Sequence, residues 1–397
     1  MQSIFFLQIS NFLSGVANSI VMITIPWLVL EVTASPSFAG LVVALSSIPS
    51  LVMAPFGGLL IQRFGSKWVS VIADAMSTIS VLVFPLLALT DNLSGISILT
   101  FALLGALFDP LGYTARKTMI QETAIGAGFD LDRLNGIHEG LFGASWVLGP
   151  ALGAWLIALL GAANSFLLAA TFSLLAAAAM VGVRLHASTR IEHESPLNNS
   201  KWSDFSLGFR RIWNDRYLRI LMFTVLLMAA IYLPTESVLL PTYFESIQRP
   251  IEFGLVISAL AGGSTVGAFS FGWLVKRISG RSLVRIAFTG AALATLAMAL
   301  LPPLPLMIVA ALLLGMSWGP FTPFLNSQIQ NRFRSDEFPM IFSAQTTVFY
   351  AAPPMGMLLV GWAVERFGIQ TSYLGLALIM LLVVVTALTS RALRESE

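Results

Sequence analysis

Stretches of about twenty mainly apolar residues follow one another from one end of this chain to the other, broken only by glycine, proline and small groups of charges. A helix of that length spans the hydrocarbon core of a bilayer. In lipid every backbone N–H and C=O must be satisfied within the chain, so runs of this kind fold as transmembrane helices. A barrel would show segments of about ten residues with alternating polarity, and the runs here are continuous. Charged residues make up 11% of the 397, against roughly a quarter in a soluble globular protein. Most of the chain therefore cannot face water.

Composition removes several function classes. There is no cysteine, which excludes disulfides, thiolate metal sites and cysteine nucleophiles. His138, His186 and His193 are the three histidines, too few for a multi-histidine metal centre, and neither metal nor cofactor is expected. The net charge of +2 does not argue for nucleic acid, because the basic residues sit in the loops, where topology explains them. The opening MQSIFFLQISNF lacks a basic region and a small-residue cleavage site, so it reads as the start of the first span and not as a signal peptide.

Gly, Pro and charge divide the chain into twelve spans, near 5–32, 38–62, 68–89, 95–115, 136–160, 162–183, 219–244, 252–275, 282–301, 304–328, 338–363 and 369–390. The long loops are 116–135 and 184–218. With both termini cytoplasmic, 20 of the 22 Lys and Arg residues fall on the inner side, leaving Arg249 and Arg366 outside. That asymmetry fixes the expected orientation in the cell's plasma membrane. In the second long loop Trp202, Phe205, Phe209, Ile212 and Trp213 recur at helical spacing among Lys201, Arg210, Arg211 and Arg216. The pattern suits an amphipathic helix on the inner membrane face, bridging two halves or docking a regulator.

The halves repeat. GGLLIQRFGSK at 57–67 and GWLVKRISGR at 272–281 share a glycine, then a polar residue and an arginine, then a further basic residue. Gly58, Gln62, Arg63 and Lys67 thus correspond to Gly272, Lys276, Arg277 and Arg281, with the glycines 214 residues apart. Pro36 with GLVVAL at 40–45 matches Pro250 with GLVISAL at 254–260, and Glu31 and Glu245 are also 214 apart. LLGALFDP at 103–110 matches LLGMSWGP at 313–320. Three matches in order, in halves of like orientation, indicate a parallel repeat about an axis along the membrane normal, as in secondary transporters. The expected domains are a six-helix bundle at 1–183, a linker at 184–218 and a second bundle at 219–397.

Six plus six spans, a long central linker and the Gly58–Lys67 pattern resemble the major facilitator superfamily over essentially the whole chain. In span five Gly136, Ser145, Gly149, Pro150 and Gly153 are similar to that family's antiporter motif, which is associated with exporters. The run from LFDP through TARKTMIQE to DRLNGIHEGLFG resembles the macrolide-efflux and enterobactin-exporter branch, which implies proton-coupled drug or siderophore export by a monomer. Two departures stand out. Gln62 occupies the position of an aspartate, and the arginine usual within span four is missing, the first basic residue being Arg116 at its cytoplasmic end.

Physical chemistry assigns the candidate roles. Gly58 and Gly272 permit close helix approach. Arg63 and Lys67, one turn apart if the loop is helical, can hold carbonyls or acidic groups at facing helix ends, and with Gln62, Lys276, Arg277, Arg281 and Arg116 they form a candidate cytoplasmic gate. Fixing topology alone is the other reading of these charges. Gly149-Pro150 bends span five or simply packs it. A carboxylate at mid-membrane costs about 2.5–3.5 kcal/mol on insertion scales, so it should face a cavity or a partner. Glu236, roughly 25 Å into span seven with Tyr232 one turn before it, is the first proton-coupling candidate. Asp109 is the second, with Tyr113 placed to bridge it to Arg116. Asp74 and the His138–Glu139 pair read as structural or gate residues. Helical stripes of Asn11, Ser14, Asn18 and Met22, of Trp318, Thr322 and Asn326, and of Gln345 and Phe349 suit a cavity for a large amphipathic molecule. The same stripes also serve as helix-packing glue. The sequence thus points to a proton-coupled exporter, with an uncoupled or lipid-like-substrate carrier as the alternative and a membrane enzyme or scaffold as a distant third. No Gly-x-x-x-x-Gly-Lys-(Ser/Thr) pattern supports an ATP-driven pump.

Overall fold

A computed structural model describes residues 1–184, 209–334 and 337–390. Twelve long helices follow along them: α1 (Gln2–Thr33), α2 (Pro36–Phe64), α3 (Ser66–Leu89), α4 (Gly95–Ala127), α5 (Leu131–Leu160) and α6 (Ala162–Val181) come first. Then come α7 (Arg216–Ser246), α8 (Pro250–Leu274), α9 (Gly280–Ala299), α10 (Leu304–Arg332), α11 (Phe338–Phe367) and α12 (Ile369–Thr389). Ten are long and apolar enough to cross a membrane, and α2 and α11, with 29 and 30 residues, match them in length. The expected all-α membrane fold is present, and the described residues contain no strand.

Local chemistry sets the helix ends. Ser35 accepts from the Phe38 N–H with Pro36 opening α2, Ser94 and Ser97 form a capping box on α4, and Asp130, Asp215 and Ser279 cap α5, α7 and α9. These caps satisfy donors that have no partner inside the helix. Gly65, Gly161 and Gly368 each join two helices as a single residue, at φ 80, 78 and 81° with extended ψ. That backbone region is essentially restricted to glycine. Gly65 also separates Arg63, in the last turn of α2, from Lys67 in the first turn of α3, so the two do not share one helical face.

The largest departure from the sequence reading lies in α4. Arg116 and Lys117 ended the expected span at 115, yet the helix continues to Ala127, and the expected loop from 116 shrinks to Gly128–Asp130. Successive helical residues point about 100° apart. Arg116 faces inward while Lys117 faces out and pairs with Glu139 at 2.8 Å. Of the expected amphipathic helix, Lys201, Trp202 and Phe205 lie outside the described residues. Residues 209–214 are helical, with Ile212 buried and the exposed rings of Phe209 and Trp213 stacked at 5.7 Å.

The chain forms two compact units. The first contains α1–α6 together with Ser237–Ser258, and the second contains the chain up to Glu236 in α7 and from Ala259 onward. In the first unit α1 lies against α5 and α6, and α3 against α4 and α6. Small residues set the α1–α5 seam. A Cβ on Gly15 would strike Ser145, one on Gly149 would strike Ser19, and one on Gly153 would meet Ile23 Cδ1 at 3.0 Å. The pairs advance together by four residues, so the helices run parallel, each pair joining one side chain to one gap. Ser19 also donates to the Ser145 carbonyl at 3.0 Å.

Gly149→Ala should therefore cost about 1–3 kcal/mol through overpacking. Combining it with Ser19→Gly should recover part of that loss, because the swap returns one gap per pair. Thermal unfolding of the singles and the double in detergent checks this, and additive losses would refute it.

In the second unit α7 packs on α11 and α12, and α9 on α10 and α12. Gly263 and Gly267 of α8 face the backbone carbonyls of Leu312 and Met316, while Gly315 and Gly319 of α10 face those of Leu260 and Ser264. Four glycines on two helices let backbone touch backbone.

Candidate functional site

On α4, Gly105, Asp109, Gly112 and Arg116 recur at intervals of three and four and so share one face. That face meets the matching polar stripe of α3. Ser77 donates to Asp109 at 3.0 Å, and a Cβ on Gly105 would lie 3.0 Å from Ser80 Oγ. Arg116, 3% exposed, pairs with Asp74 at 2.8 Å and donates to Ser70 at 3.1 Å. Its second terminal nitrogen donates to Ser14 of α1 at 2.7 Å, and Ser14 donates to Asp74 at 2.8 Å. Guanidinium, hydroxyl and carboxylate thus close a ring across α1, α3 and α4.

Helical side chains lean toward their own N-terminus, which carries the Arg116 head back along α4. Gly112 makes room for it, since a Cβ there would lie 3.3 Å from the guanidinium. Arg116, grouped by sequence with the gate, is therefore an interior residue of the first unit. Its partner is Asp74, not Asp109 through Tyr113; the Tyr113 ring lies against Lys117, 4.6 Å from the ammonium. Asp109 forms no ion pair among the described residues, and Ser77 is its donor. The consequence is an interior carboxyl beside a closed ion pair, chemically able to gain or lose a proton.

Next along α1, the Asn11 amide donates to the His138 carbonyl at 3.0 Å, and Gln8 Oε1 lies 3.2 Å from His138 Nδ1. His138 is buried against α1 whereas Glu139 turns outward to Lys117, so these neighbours do not act as a pair. Asn11 serves helix contact here. Asn18 and Met22, further along α1, are half-buried.

In the second unit, Pro234 lacks an N–H, which frees the Ala230 carbonyl. Gly356 of α11 packs against that carbonyl, where any Cβ would collide. Residues Thr235–Leu239 then form a π-helical stretch that carries Glu236. Such bulges recur at functional sites. Tyr232, one turn earlier, stacks on Trp318 of α10 at 4.5 Å and 8°, and Trp318 meets Phe321 edge-on at 5.1 Å. Of the expected cavity residues, Tyr232 and Trp318 come together. Thr322 is exposed, Asn326 and Phe349 are half-buried, and Gln345 is buried.

Comparison with known proteins now decides the family. A model of the Major Facilitator Superfamily matches residues 7–357. The chain belongs to the Major Facilitator Superfamily. It is 33% identical over 394 residues to the multidrug efflux pump Tap of Mycobacterium tuberculosis, covering 98% of this chain and 94% of the relative. The Tap pump of Mycolicibacterium fortuitum is likewise 33% identical, over 385 residues, with 96% and 94% covered. Among solved structures, the nucleoside transporter NupG superimposes with a TM-score of 0.77 at 14% identity, covering 100% of both chains, which speaks for the fold. The family expectation is borne out, and this is a multi-pass membrane protein of a transporter superfamily.

The superfamily loop pattern takes a definite form in this chain. Lys67 Nζ donates to the Val181 and Val183 carbonyls at 2.8 and 2.7 Å, capping the C-terminal end of α6. Arg63 lies at the end of α2 near Gly58 and Gln62, its guanidinium 5.5 Å from the Phe64 ring. In the corresponding segment, Gly272 has open space, Arg277 lies over Trp273 at 4.3 Å, Lys276 is exposed, and Arg281 begins α9. Of the antiporter-like residues, Ser145, Gly149 and Gly153 line the α1 seam with Pro150 buried beside them, while Gly136 has open space around it. Ala154 and the Pro150 carbonyl in turn receive Gly254 of α8.

Sequence reasoning missed one feature. Leu45, Ile48 and Pro49 of α2 and Thr100, Leu103, Leu104 and Leu107 of α4 line an open apolar groove of about 450 Å³. That volume lies in the range of small-molecule sites. Its helical spacing was visible, yet nothing distinguishes a groove-lining leucine from a lipid-facing one in sequence. Among the described residues no three His, Asp or Glu side chains gather as a metal site.

Proposed function

We propose that this protein exports amphipathic small molecules across the cell membrane in exchange for protons, by alternating access. The reading rests on the match to pumps named for multidrug efflux, at 33% identity over 98% of the chain. The halves 1–183 and 219–397 rock about a central cavity, joined by the linker at 184–218, with both termini cytoplasmic and the monomer as the working unit. Glu236 and Asp109 carry the proton. The α2–α4 groove and the Tyr232–Trp318 stack offer apolar and aromatic surface for a substrate of mixed character. Gly58, Gln62, Arg63 and Lys67 with their counterparts from Gly272 to Arg281 close the cytoplasmic side, and Lys67 as a carbonyl cap supports that role.

Gln62 favours a second reading, an uncoupled carrier, because an amide cannot carry the charge of the aspartate usual at its position. Proteoliposomes with a luminal pH indicator separate the two. Adding candidate amphiphiles should evoke proton release from the lumen as substrate moves. Substrate movement without proton flux would leave the uncoupled carrier, and no movement of any amphiphile would overturn both.

A further inference from the structure

Gln8 and Asn11 stand three residues apart on α1 and so share one face, which meets His138 of α5. All three residues are more than nine-tenths buried, at 6, 1 and 0% exposure. Gln8 Oε1 lies 3.2 Å from His138 Nδ1, and the Asn11 amide donates to the His138 carbonyl at 3.0 Å. Each residue also keeps one buried polar atom with no partner among the described residues: Gln8 Nε2, Asn11 Oδ1 and His138 Nε2.

The roles of these three atoms follow from the bonds already made. An amide oxygen only accepts, so the contact with Gln8 places a proton on His138 Nδ1. A neutral imidazole then carries a bare lone pair on Nε2. Asn11 donates through its nitrogen, and its unpaired Oδ1 is an acceptor. Gln8 accepts through its oxygen, and its unpaired Nε2 is a donor. The junction therefore offers two acceptors and one donor. An anion would meet the two lone pairs. A cation would meet the Gln8 N–H, one turn from Ser14, which already receives the Arg116 guanidinium. A neutral molecule with two donors and an acceptor fits, and the smallest is water. Lipid offers unpaired polar atoms no relief, and buried waters typically make about three bonds to such atoms.

We propose that the α1–α5 junction binds one internal water, which donates to His138 Nε2 and Asn11 Oδ1 and accepts from Gln8 Nε2. Gln8 holds the imidazole in its Nδ1–H form, and the water completes the other side of the ring. Ser14, next on the same face of α1, belongs to the ring of Arg116 and Asp74, so the water extends the polar interior of the first unit by one turn. The inference does not depend on the export reading or on the roles of Glu236 and Asp109.

Solid-state nitrogen NMR of the full chain in lipid bilayers tests the proposal, with isotope-labelled histidine and with water as the probe. His186→Gln and His193→Gln together leave His138 as the one histidine and leave the seam untouched. The ring should show a protonated Nδ1 and an unprotonated, hydrogen-bonded Nε2, and magnetisation should pass from water protons to Nε2. Asn11→Leu, of similar shape but without the acceptor, should abolish that transfer. A monodisperse size-exclusion profile confirms that the variant is folded. A proton on Nε2, in either the neutral or the cationic ring, would overturn the proposal. So would an Nε2 that receives nothing from water, or transfer that persists unchanged in Asn11→Leu.

Discussion

Replacing Arg116 with leucine should destabilise the protein by about 3–5 kcal/mol, the cost of leaving one member of a buried ion pair without the other. The ring built by Arg116, Asp74 and Ser14 is closed at 2.7–2.8 Å, with Ser70 accepting a further bond from Arg116 at 3.1 Å, so losing the guanidinium strands the Asp74 carboxylate in the interior. Asp74→Leu should do comparable harm by stranding the arginine. The double variant should recover much of either loss, because two apolar side chains carry no desolvation cost and buried pairs are often no more stable than their apolar replacements. Unfolding in detergent for the two singles and the double gives the coupling directly. Additive losses would show that the pair does not act as a unit, and the α1–α3–α4 junction would then owe its stability to packing alone.

Substrate-evoked proton release should fall to background in Glu236→Gln. Glutamine keeps the shape and most hydrogen bonds of the side chain and removes only the exchangeable proton, so a folded variant separates coupling from architecture. Glu236 lies within the π-helical stretch of α7 and one turn from the Tyr232–Trp318 stack, the aromatic surface proposed for a substrate of mixed character. Normal flux in Glu236→Gln together with background flux in Asp109→Asn would assign the proton to the first unit instead. Asp109 is suited to that role because Arg116 is already engaged by Asp74. Normal flux in both variants would remove the carboxyl mechanism proposed for this chain.

The fold was legible because lipid leaves so few options. Runs of apolar residues, Ser and Asp caps and punctuating glycines carried the helices, and the repeated motifs carried the family. Charge position was less legible. Arg116 and Lys117 read as a loop because adjacent basic residues mark topology, whereas a helix sends neighbours to different faces and buries one of them. The small residues at 145, 149 and 153 were visible as a packing stripe. Their partners Gly15, Ser19 and Ile23 follow only once α1 is known to lie alongside α5. No sequence signal could point Lys67 to the Val181 and Val183 carbonyls, since every residue has a carbonyl. The role of Asn11 was ambiguous for a related reason. A polar residue on a membrane helix answers equally to a substrate and to a neighbouring helix, and Asn11 went to the neighbour.

The π-helical stretch of α7 has one more consequence. Thr235–Leu239 holds one residue beyond the α-helical register, which shifts by about 100° the face that the following residues present along α7. Below it the helix addresses α11 and α12, and above it Phe244 turns to Phe253 at 6.1 Å. One inserted residue lets a single helix show unrelated faces to its two sets of neighbours. Deleting it would act less as a shortening than as a twist applied to everything from Leu240 to Ser246.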